Sequence, residues 1–352
     1  RRICILNNTN STLALEKSHL YVPLFCGPEI AVPATKSFLN QLLVLYALAL
    51  EVKTSLEKAG EKNTGDGMPA SFHLEEMMKI PGLIDMTLKT TQQETEMVAE
   101  QLYLKPSMHI LATRILGIAK EGALKVREIV LNHTEGFEGS EFKHGPNTIL
   151  GLNSIFGLDS IGELMTRLEE VLNFVLEHKK GEPLKPRGVL RMFKAISEYA
   201  FKDLKPTYLS NEEKEIFDEV FKNFNIFGSL YDNYPLIFIT TPRERDINLT
   251  ISQINTHKIR GANVYLIAED NNDLREAVSV TPSSAFPYKY GYIVIPKTGS
   301  KIISIFAITV VLQMLAFRMS LKKMQFMDRL EIANHGVHPD VPKNVSKSIT
   351  VD

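Results

Sequence analysis

The sequence is poor in cysteine, carries no excess charge of either sign and has no apolar run long enough to cross a membrane. Its 352 residues include only Cys4 and Cys26, which lack the CxxC or Cys/His spacing of a zinc site. Two cysteines are too few for a disulfide framework, which favours a reducing, cytoplasmic location, and we predict both as small buried side chains. The formal net charge of −1 offers no basic field for nucleic acid.

The longest apolar segment, "IISIFAITVVLQMLAF" at residues 302–317, falls short of the ~18 to 20 apolar residues that a membrane span needs. It also contains Ser304, Thr309 and Gln313. We therefore predict a helix buried between a sheet and neighbouring helices, with no membrane partner.

The first residues, "RRICILNN", lack an initiator methionine and place an apolar strand directly after two arginines. This is neither a signal peptide nor a usual start of a domain. We expect a polypeptide whose N-terminal part is missing from this sequence.

Apolar strand patterns alternate with helical patterns along the chain, which predicts an α/β fold with helices on both faces of mostly parallel sheets. The predicted strands are "RICIL", "HLYVPLF", "MHILA" (108–112), "YPLIFITT" (234–241), "NVYLIAED" and "GYIVIPK". The main predicted helices cover residues 36–59, 90–103, 117–133 and 300–323, and Thr35 or Ser37 can cap the first of them.

The interval of about 154–233 carries helical patterns only, and we predict a helical insertion that serves as a lid or an interface. Within it, Ser210 and Glu213 form a capping-box pattern ahead of an amphipathic segment. Just before it, "TEGFEGSEFKHGP" (134–146) is predicted as a charged loop, so that the next strand begins only at residue 234.

Four segments, in order, resemble the isomerase half of the glutamine:fructose-6-phosphate amidotransferases, a tandem of two sugar isomerase (SIS) domains. They are "CGPEIAVPATKSFLNQLLVLYALAL" (26–50), "EGALKVREIVLNHTEGFEGSEFKHGP" (121–146), "VVLQMLAF" (310–317) and "PDVPKNVSKSITVD" (339–352). The resemblance implies two doubly wound SIS sheets. Residues 1–103 would be the remainder of the first domain, 104–333 the second domain with its insertion, and 334–352 an active-site tail.

The resemblance also implies the roles of individual residues. Glu128 in "ALKVREI" matches a carboxylate base, His144 in "EFKHGP" a ring-opening histidine, and Lys347 in "SKSITVD" a lysine that forms a Schiff base. Sugar-binding positions fall on Val32, Ala34, Thr35 and Ser346. Ala34 stands where the family has a hydroxyl, and the family's phosphate-gripping Ser/Thr loop would lie upstream of residue 1.

These residue types suit the chemistry of turning a ketose phosphate into an aldose amine. Ring opening requires a group that titrates near neutrality, as histidine does. A lysine Schiff base makes C2 an electron sink, and a carboxylate can then carry a proton between C1 and C2. No metal and no organic cofactor is implied.

The resemblance further implies a homodimer or higher homo-oligomer in which the histidine serves a neighbouring subunit, together with an upstream glutaminase domain. Two alternatives remain open. One is a related SIS enzyme, such as a fructosamine-6-phosphate deglycase or a sugar-phosphate deaminase, which needs no glutaminase. The other is a non-catalytic sugar-phosphate-binding regulator, against which the joint presence of Glu128, His144 and Lys347 argues.

Overall fold

The computed structural model describes residues 1–60, 67–151, 158–177, 186–202, 204–223, 231–283 and 287–340. The chain divides into two compact units, the first formed by Arg1–Gly151 with Asn233–Asp352 and the second by Leu152–Asp232. The predicted boundaries at residues 103 and 333 are not tested by this division and stay predictions.

The first unit is built on a five-stranded parallel sheet. Its strands are β3 (Ser107–Ala112), β4 (His133–Glu138), β5 (Tyr234–Ile239), β6 (Ala262–Glu269) and β7 (Tyr290–Ile295), in the spatial order β4-β3-β5-β6-β7. Because β3 connects outward to β4 and β5 connects outward to β6, the sheet is doubly wound, as the sequence pattern predicted.

A smaller parallel pair consists of β1 (Ile3–Leu6) and β2 (Leu20–Pro23). Parallel strands are normally covered on both faces, yet Ile3, Leu20 and the following Phe25 are exposed. Cys4 and Cys26 lie in this region and are only half-buried, so the prediction that both are buried is wrong. The short pair has too few neighbouring elements to enclose them.

Twelve α-helices occur among the described residues. Those of the first unit are α1 (Lys36–Lys58), α2 (Ala70–Met78), α3 (Ile80–Thr90), α4 (Gln92–Leu102), α5 (Leu116–Ile129), α6 (Gly139–Phe142), α10 (Glu244–Ile259), α11 (Asn272–Ser279) and α12 (Lys301–Arg329). A π-helical turn spans Leu13–Lys17 and a 3-10 turn spans Pro146–Ile149.

One face of the large sheet is covered by α5, α12 and α4, which share a continuous apolar core with alternate residues of β3, β5, β6 and β7. The α12 helix is apolar and long enough to cross a membrane by length and composition. However, 67% of its most apolar window is buried inside the protein. It is therefore the central helix of this core, as the sequence predicted.

The opposite face carries α10 and a short aromatic cluster. His109 and Phe238, which alternate with the core residues of β3 and β5, contact Phe142 and His257 respectively. Successive strand residues point to opposite faces, so the two helical layers are separated by the full thickness of the sheet.

The second unit contains α7 (Leu158–Glu177), α8 (Pro186–Lys202) and α9 (Asn211–Asn223) around an apolar core of its own, which includes Val171, Ile196 and Phe217. The predicted capping box is confirmed. The backbone N–H of Ser210 donates to Glu213 Oε2 at 3.0 Å, and the Glu213 N–H donates to Ser210 Oγ at 3.2 Å.

The segment predicted as a charged loop is mostly regular structure, and that prediction is wrong. Strand β4 begins at His133 and pairs with β3 along its whole length, and α6 follows it directly. The β-α-β unit is therefore complete before the insertion. The strand escaped notice because, at the edge of the sheet, it carries glutamates and a glycine instead of apolar alternation.

Gly136 in β4 lies directly against the backbone of α5. A Cβ atom at this position would lie 2.5 Å from Lys120 N and 2.6 Å from the Ala119 carbonyl carbon. Because backbone atoms cannot move aside, we expect Gly136→Ala to lower the free energy of unfolding by about 2 to 3 kcal/mol. Chemical denaturation followed by circular dichroism measures this loss. The control is Gly117→Ala in α5, where nothing lies within 4 Å of the added atom, so a loss of stability above about 0.5 kcal/mol would be unexpected. An equal loss in both variants would contradict the close-approach explanation.

Candidate active site

Glu128 belongs to a group of three charged side chains on α5, in which Lys125 is buried and the two glutamates are half-buried. Lys125, whose side chain is only 2% exposed, places its Nζ 2.7 Å from Glu128 Oε2 and 3.3 Å from Glu121 Oε1. The spacings i,i+3 and i,i+4 put all three on one side of the helix. The two carboxylates share one buried ammonium ion, so the group carries a net negative charge.

The surroundings favour proton uptake by one of these carboxylates. Burial raises the pKa of Glu121 above its usual value, the Lys125 ammonium opposes this, and the negative charges of Glu128 and Glu29 add to the rise. A raised pKa makes the Glu121 carboxylate a stronger proton acceptor than an exposed glutamate. The trio of Glu121, Lys125 and Glu128 can therefore hold and move a proton.

The predicted sugar-binding positions lie in the loop that leads into α1. Val32 is buried, Ala34 is half-buried and Thr35 is exposed. Thr35 occupies the N-cap position of α1, but its side chain makes no capping hydrogen bond. The predicted cap by Thr35 or Ser37 is replaced by Glu29, whose carboxylate accepts from the Thr35 N–H at 2.6 Å and the Ser37 N–H at 3.3 Å.

Two contacts bring this loop to the α5 side of the sheet. Gln313 on α12 donates its Nε2 hydrogen to the Thr35 carbonyl at 3.3 Å, and Phe38 on α1 packs against the core shared by α5 and α12. The loop of residues 32–35 therefore lies on the same side of the sheet as the carboxylates of α5.

His144 lies on the other side of the sheet. The chain from Gly139 to Gly151 runs along α10, since Gly139 touches Gln253, Phe142 touches His257, and Gly151 touches the backbone at Arg260. His144 lies within this stretch and is exposed. Because α5 and α10 cover opposite faces, Glu128 and His144 of one chain do not meet.

A buried aromatic cluster supports the segment that carries His144. Phe142 contacts both His109 and His257, and burial lowers the pKa of each histidine to about 4. Both rings are therefore neutral near pH 7 and pack as aromatic groups. His109 Nδ1 is hydrogen-bonded to the Tyr234 hydroxyl at 2.7 Å.

The glutamates of "TEGFEGSEFKHGP" have other surroundings. Glu138 accepts the backbone N–H of Arg114 at 3.0 Å, which holds Arg114 in a left-handed conformation with φ of 63°. Glu135, Glu138 and Glu141 line a cleft of about 480 Å³ between α5 and the outer edge of β4. They are structural or solvated, so only His144 of this segment remains a catalytic candidate.

Lys347 and Ser346 lie outside the described residues, so their predicted roles stay predictions. Among the described residues, no three His, Cys, Asp or Glu side chains are grouped closely enough to hold a metal ion.

Two residues of the site were not predicted. Lys125 was passed over, although "EGALKVRE" places a lysine between two carboxylates at helical spacing. Glu29 gave no comparable signal, because its partners are six and eight residues away across a loop.

The parallel, doubly wound architecture is similar to that of solved sugar-phosphate enzymes. It covers 92% of the chain in a comparison with the C-terminal domain of the glucosamine-fructose-6-phosphate aminotransferase of Francisella tularensis, with a TM-score of 0.57 at 19% identity over 63% of that chain. A tagatose-6-phosphate ketose/aldose isomerase of Escherichia coli aligns over 96% of this chain and 62% of its own, with a TM-score of 0.50 at 11% identity. These likenesses concern the fold.

Sequence comparison narrows the resemblance to the isomerizing glutamine–fructose-6-phosphate aminotransferases and confirms the resemblance inferred from the motifs. The enzyme of Aquifex aeolicus is 37% identical over 153 residues, which is 42% of this chain and 23% of that protein. The enzyme of Thermococcus kodakarensis is 34% identical over 154 residues, 42% of this chain and 24% of its own. The match thus spans about a quarter of these relatives' length. No family model matches the chain.

Removing the shared ammonium ion tests the charge balance of the trio. We expect Lys125→Met to lower the free energy of unfolding by about 3 kcal/mol at pH 8, because two carboxylates lose their buried partner. The same substitution raises the pKa of Glu121 further. When the pKa of a carboxyl group is higher in the folded than in the unfolded protein, the protein loses stability as the pH rises between these two pKa values. The loss should therefore be smaller at pH 5 than at pH 8, as urea unfolding at the two pH values will measure.

The matched control is Lys323→Met. Lys323 is another buried lysine, but its Nζ donates only to neutral oxygens, the Val130 carbonyl and Asn132 Oδ1. Burial lowers the pKa of Lys323, so any pH dependence of its removal comes from the lysine itself and not from a carboxylate. A pH dependence of the Lys125 variant no greater than that of the Lys323 variant would show that the carboxylates do not share the charge of Lys125.

Proposed function

We propose that this chain is the isomerase portion of an aminotransferase that converts fructose 6-phosphate and glutamine-derived ammonia into glucosamine 6-phosphate. The observation that carries the proposal is the placement of the α5 trio and the loop of residues 32–35 on the same side of the sheet. A carboxylate able to exchange protons and a loop suited to a sugar lie on one side of one sheet. The sequence relatives bear the name of this activity.

The proposed reaction uses one residue for each step. His144 opens the sugar ring by proton donation and acceptance, Lys347 forms a Schiff base at C2, and ammonia then displaces the lysine nitrogen. Glu128 carries the proton between C1 and C2. Lys125 supports this step, because its ammonium ion stabilises the ionised carboxylate. While it remains paired, Lys125 does not itself act as the proton donor.

The position of His144 supports an active site shared between subunits. Within one chain the sheet separates His144 from Glu128, so a histidine that assists this chemistry must belong to a second copy. A symmetric homodimer supplies each site with the histidine of the other chain. The soluble, cytoplasmic location expected from the cysteine content agrees with a sugar-phosphate substrate.

Trapping the Schiff base tests the role of Lys347 without any need for ammonia. The full-length protein is incubated with fructose 6-phosphate and borohydride, which reduces the C=N bond to a stable secondary amine. We expect a sugar-phosphate adduct on the peptide that contains Lys347, detected by mass spectrometry, and its loss in Lys347→Ala. Lys343→Ala, four residues away in the same tail, should keep the adduct.

The same proteins are then assayed for glucosamine 6-phosphate formed from fructose 6-phosphate and glutamine. Lys347→Ala should lose this activity and Lys343→Ala should retain it. An adduct that persists in Lys347→Ala would overturn the Schiff-base assignment. An adduct without amination by glutamine would favour a deglycase or deaminase, and absence of both in the unaltered protein would favour a sugar-phosphate-binding regulator.

Mixing two inactive variants tests the shared site. His144→Asn and Lys347→Ala should each lower activity by about two orders of magnitude or more. After unfolding and refolding together in equal amounts, half of the dimers are mixed, and each has one intact site if the histidine crosses the interface. The mixture should therefore regain about a quarter of full activity.

The control mixture combines Glu128→Gln with Lys347→Ala. Both residues are assigned to the same chain, so no mixed dimer contains an intact site and activity should stay at the level of the single variants. Recovery in the control would show that Glu128 and Lys347 belong to different chains. No recovery in the first mixture, although native mass spectrometry detects mixed dimers, would show that His144 serves its own chain or has no catalytic role.

A further inference from the structure

The sequence pattern P-x-T-x-S occurs at the start of two core helices. It covers Pro33–Ser37 before and within α1, and Pro296–Ser300 immediately before α12. In each copy the threonine is bound to a glutamate from another part of the chain, Glu29 in the first and Glu269 in the second. We name these the first and second glutamate clamps.

In the first clamp, one carboxylate accepts four donors. Glu29 Oε1 accepts the Thr35 N–H at 2.6 Å, the Thr35 hydroxyl at 3.3 Å and the Ser37 N–H at 3.3 Å, and Glu29 Oε2 accepts the Ser37 hydroxyl. A carboxylate at a helix N-terminus is favoured by the helix dipole and by the unpaired backbone N–H groups. Glu29 therefore closes the loop of residues 29–37 around the predicted sugar-binding positions.

The second clamp repeats the threonine contacts. Glu269 Oε1 accepts the Thr298 N–H at 2.9 Å and the Thr298 hydroxyl, and the Gly299 N–H lies 3.2 Å away. The turn that follows differs, because Ser300 caps α12 itself by accepting the Ile303 N–H. None of the assigned site residues lies in this second loop. The glutamate–threonine contacts are alike in the two clamps, but only the first lies among assigned site residues. The second clamp is therefore an internal control for the first.

We propose that Glu29 is a positioning residue of the active site, which fixes the loop of residues 32–35 for the sugar and sets the electrostatic field at the carboxylates of α5. This inference rests on the proposed function. Four bonds to one carboxylate leave Thr35 and Ser37 little freedom, and Gln313 holds the Thr35 carbonyl from the other side. Residues 32–34 lie between Glu29 and these anchored positions, so their conformation follows from the clamp.

The electrostatic part is separable from the positional part. The Glu29 charge raises the pKa of Glu121, which is paired with Lys125 beside Glu128. Removing the charge of Glu29 lowers the pKa of Glu121, so the acid limb of the kcat/KM profile should move to lower pH. A purely structural residue would not move that limb.

The test compares Glu29→Gln with Glu269→Gln in the full-length protein. Gln keeps the shape but presents an N–H group where the clamp requires only acceptors, so both variants should lose some thermal stability. Glu29→Gln should raise the KM for fructose 6-phosphate about tenfold, with a smaller change in kcat, because a site donor or acceptor is misplaced. Its acid limb should move to lower pH. Glu269→Gln should leave KM within about twofold of that of the unaltered protein, and its acid limb should stay in place.

Glu29→Asp separates the two effects. Asp keeps the negative charge but is one methylene shorter, so it should not reach all four donors. We expect KM to stay raised while the acid limb returns to its original position. If Glu29→Asp and Glu29→Gln gave the same pH profile, the electrostatic part would be wrong.

Calorimetric binding of fructose 6-phosphate separates failure of this proposal from failure of the proposed function. If the unaltered protein does not bind the sugar, the function is wrong. If it binds, and Glu29→Gln binds equally well with an unshifted pH profile, Glu29 is not a positioning residue. Equal losses of binding in Glu29→Gln and Glu269→Gln would likewise overturn the proposal, because both would then act only through stability.

Discussion

The five-stranded sheet that stands between Glu128 and His144 is the constraint on which the rest of this site depends. In the strand order, the chain leaves β3 toward β4 on one side and leaves β5 toward β6 on the other. Because such crossovers are right-handed, α5 and α10 cover opposite faces of the sheet. Glu128 lies in the layer formed by α5, and His144 lies in the segment that runs along α10. Under the proposed function, the histidine of each site therefore comes from a second copy of the chain.

The buried ammonium ion of Lys125 is the second organising element. An unpaired lysine at this depth would be costly, and two carboxylates beside each other would repel. Lys125 pairs with both Glu121 and Glu128. The apolar α12 helix packs against α5 in the core beside this group.

Much of the fold could be predicted from the sequence, and the failures have physical reasons. The strands β3, β5, β6 and β7 are apolar on both faces, so they were recognised within a few residues. Strand β4 was missed because its edge position tolerates glutamates, and because Gly136, which α5 requires, resembles a turn signal. The helices α2 and α3 were missed because the glycine and proline residues around them suggested a loop, although Pro81 occupies an early position of α3 that tolerates proline.

For the site, residue types could be assigned by motif, but the contacts that tune them could not. Nothing in the order of residues indicates that Glu29 binds Thr35 and Ser37, because a glutamate in a loop is ordinarily solvated. The repeated P-x-T-x-S pattern is visible in the sequence, yet it acquires a meaning only when both threonines are found bound to a distant carboxylate. The glutamates themselves lie 6 and 29 residues from their threonines, so no fixed spacing could have revealed the pair. A carboxylate that accepts hydrogen bonds at the start of a helix can hold a loop rigidly, and no substrate-binding side chain is needed for that purpose. This chain uses the arrangement twice.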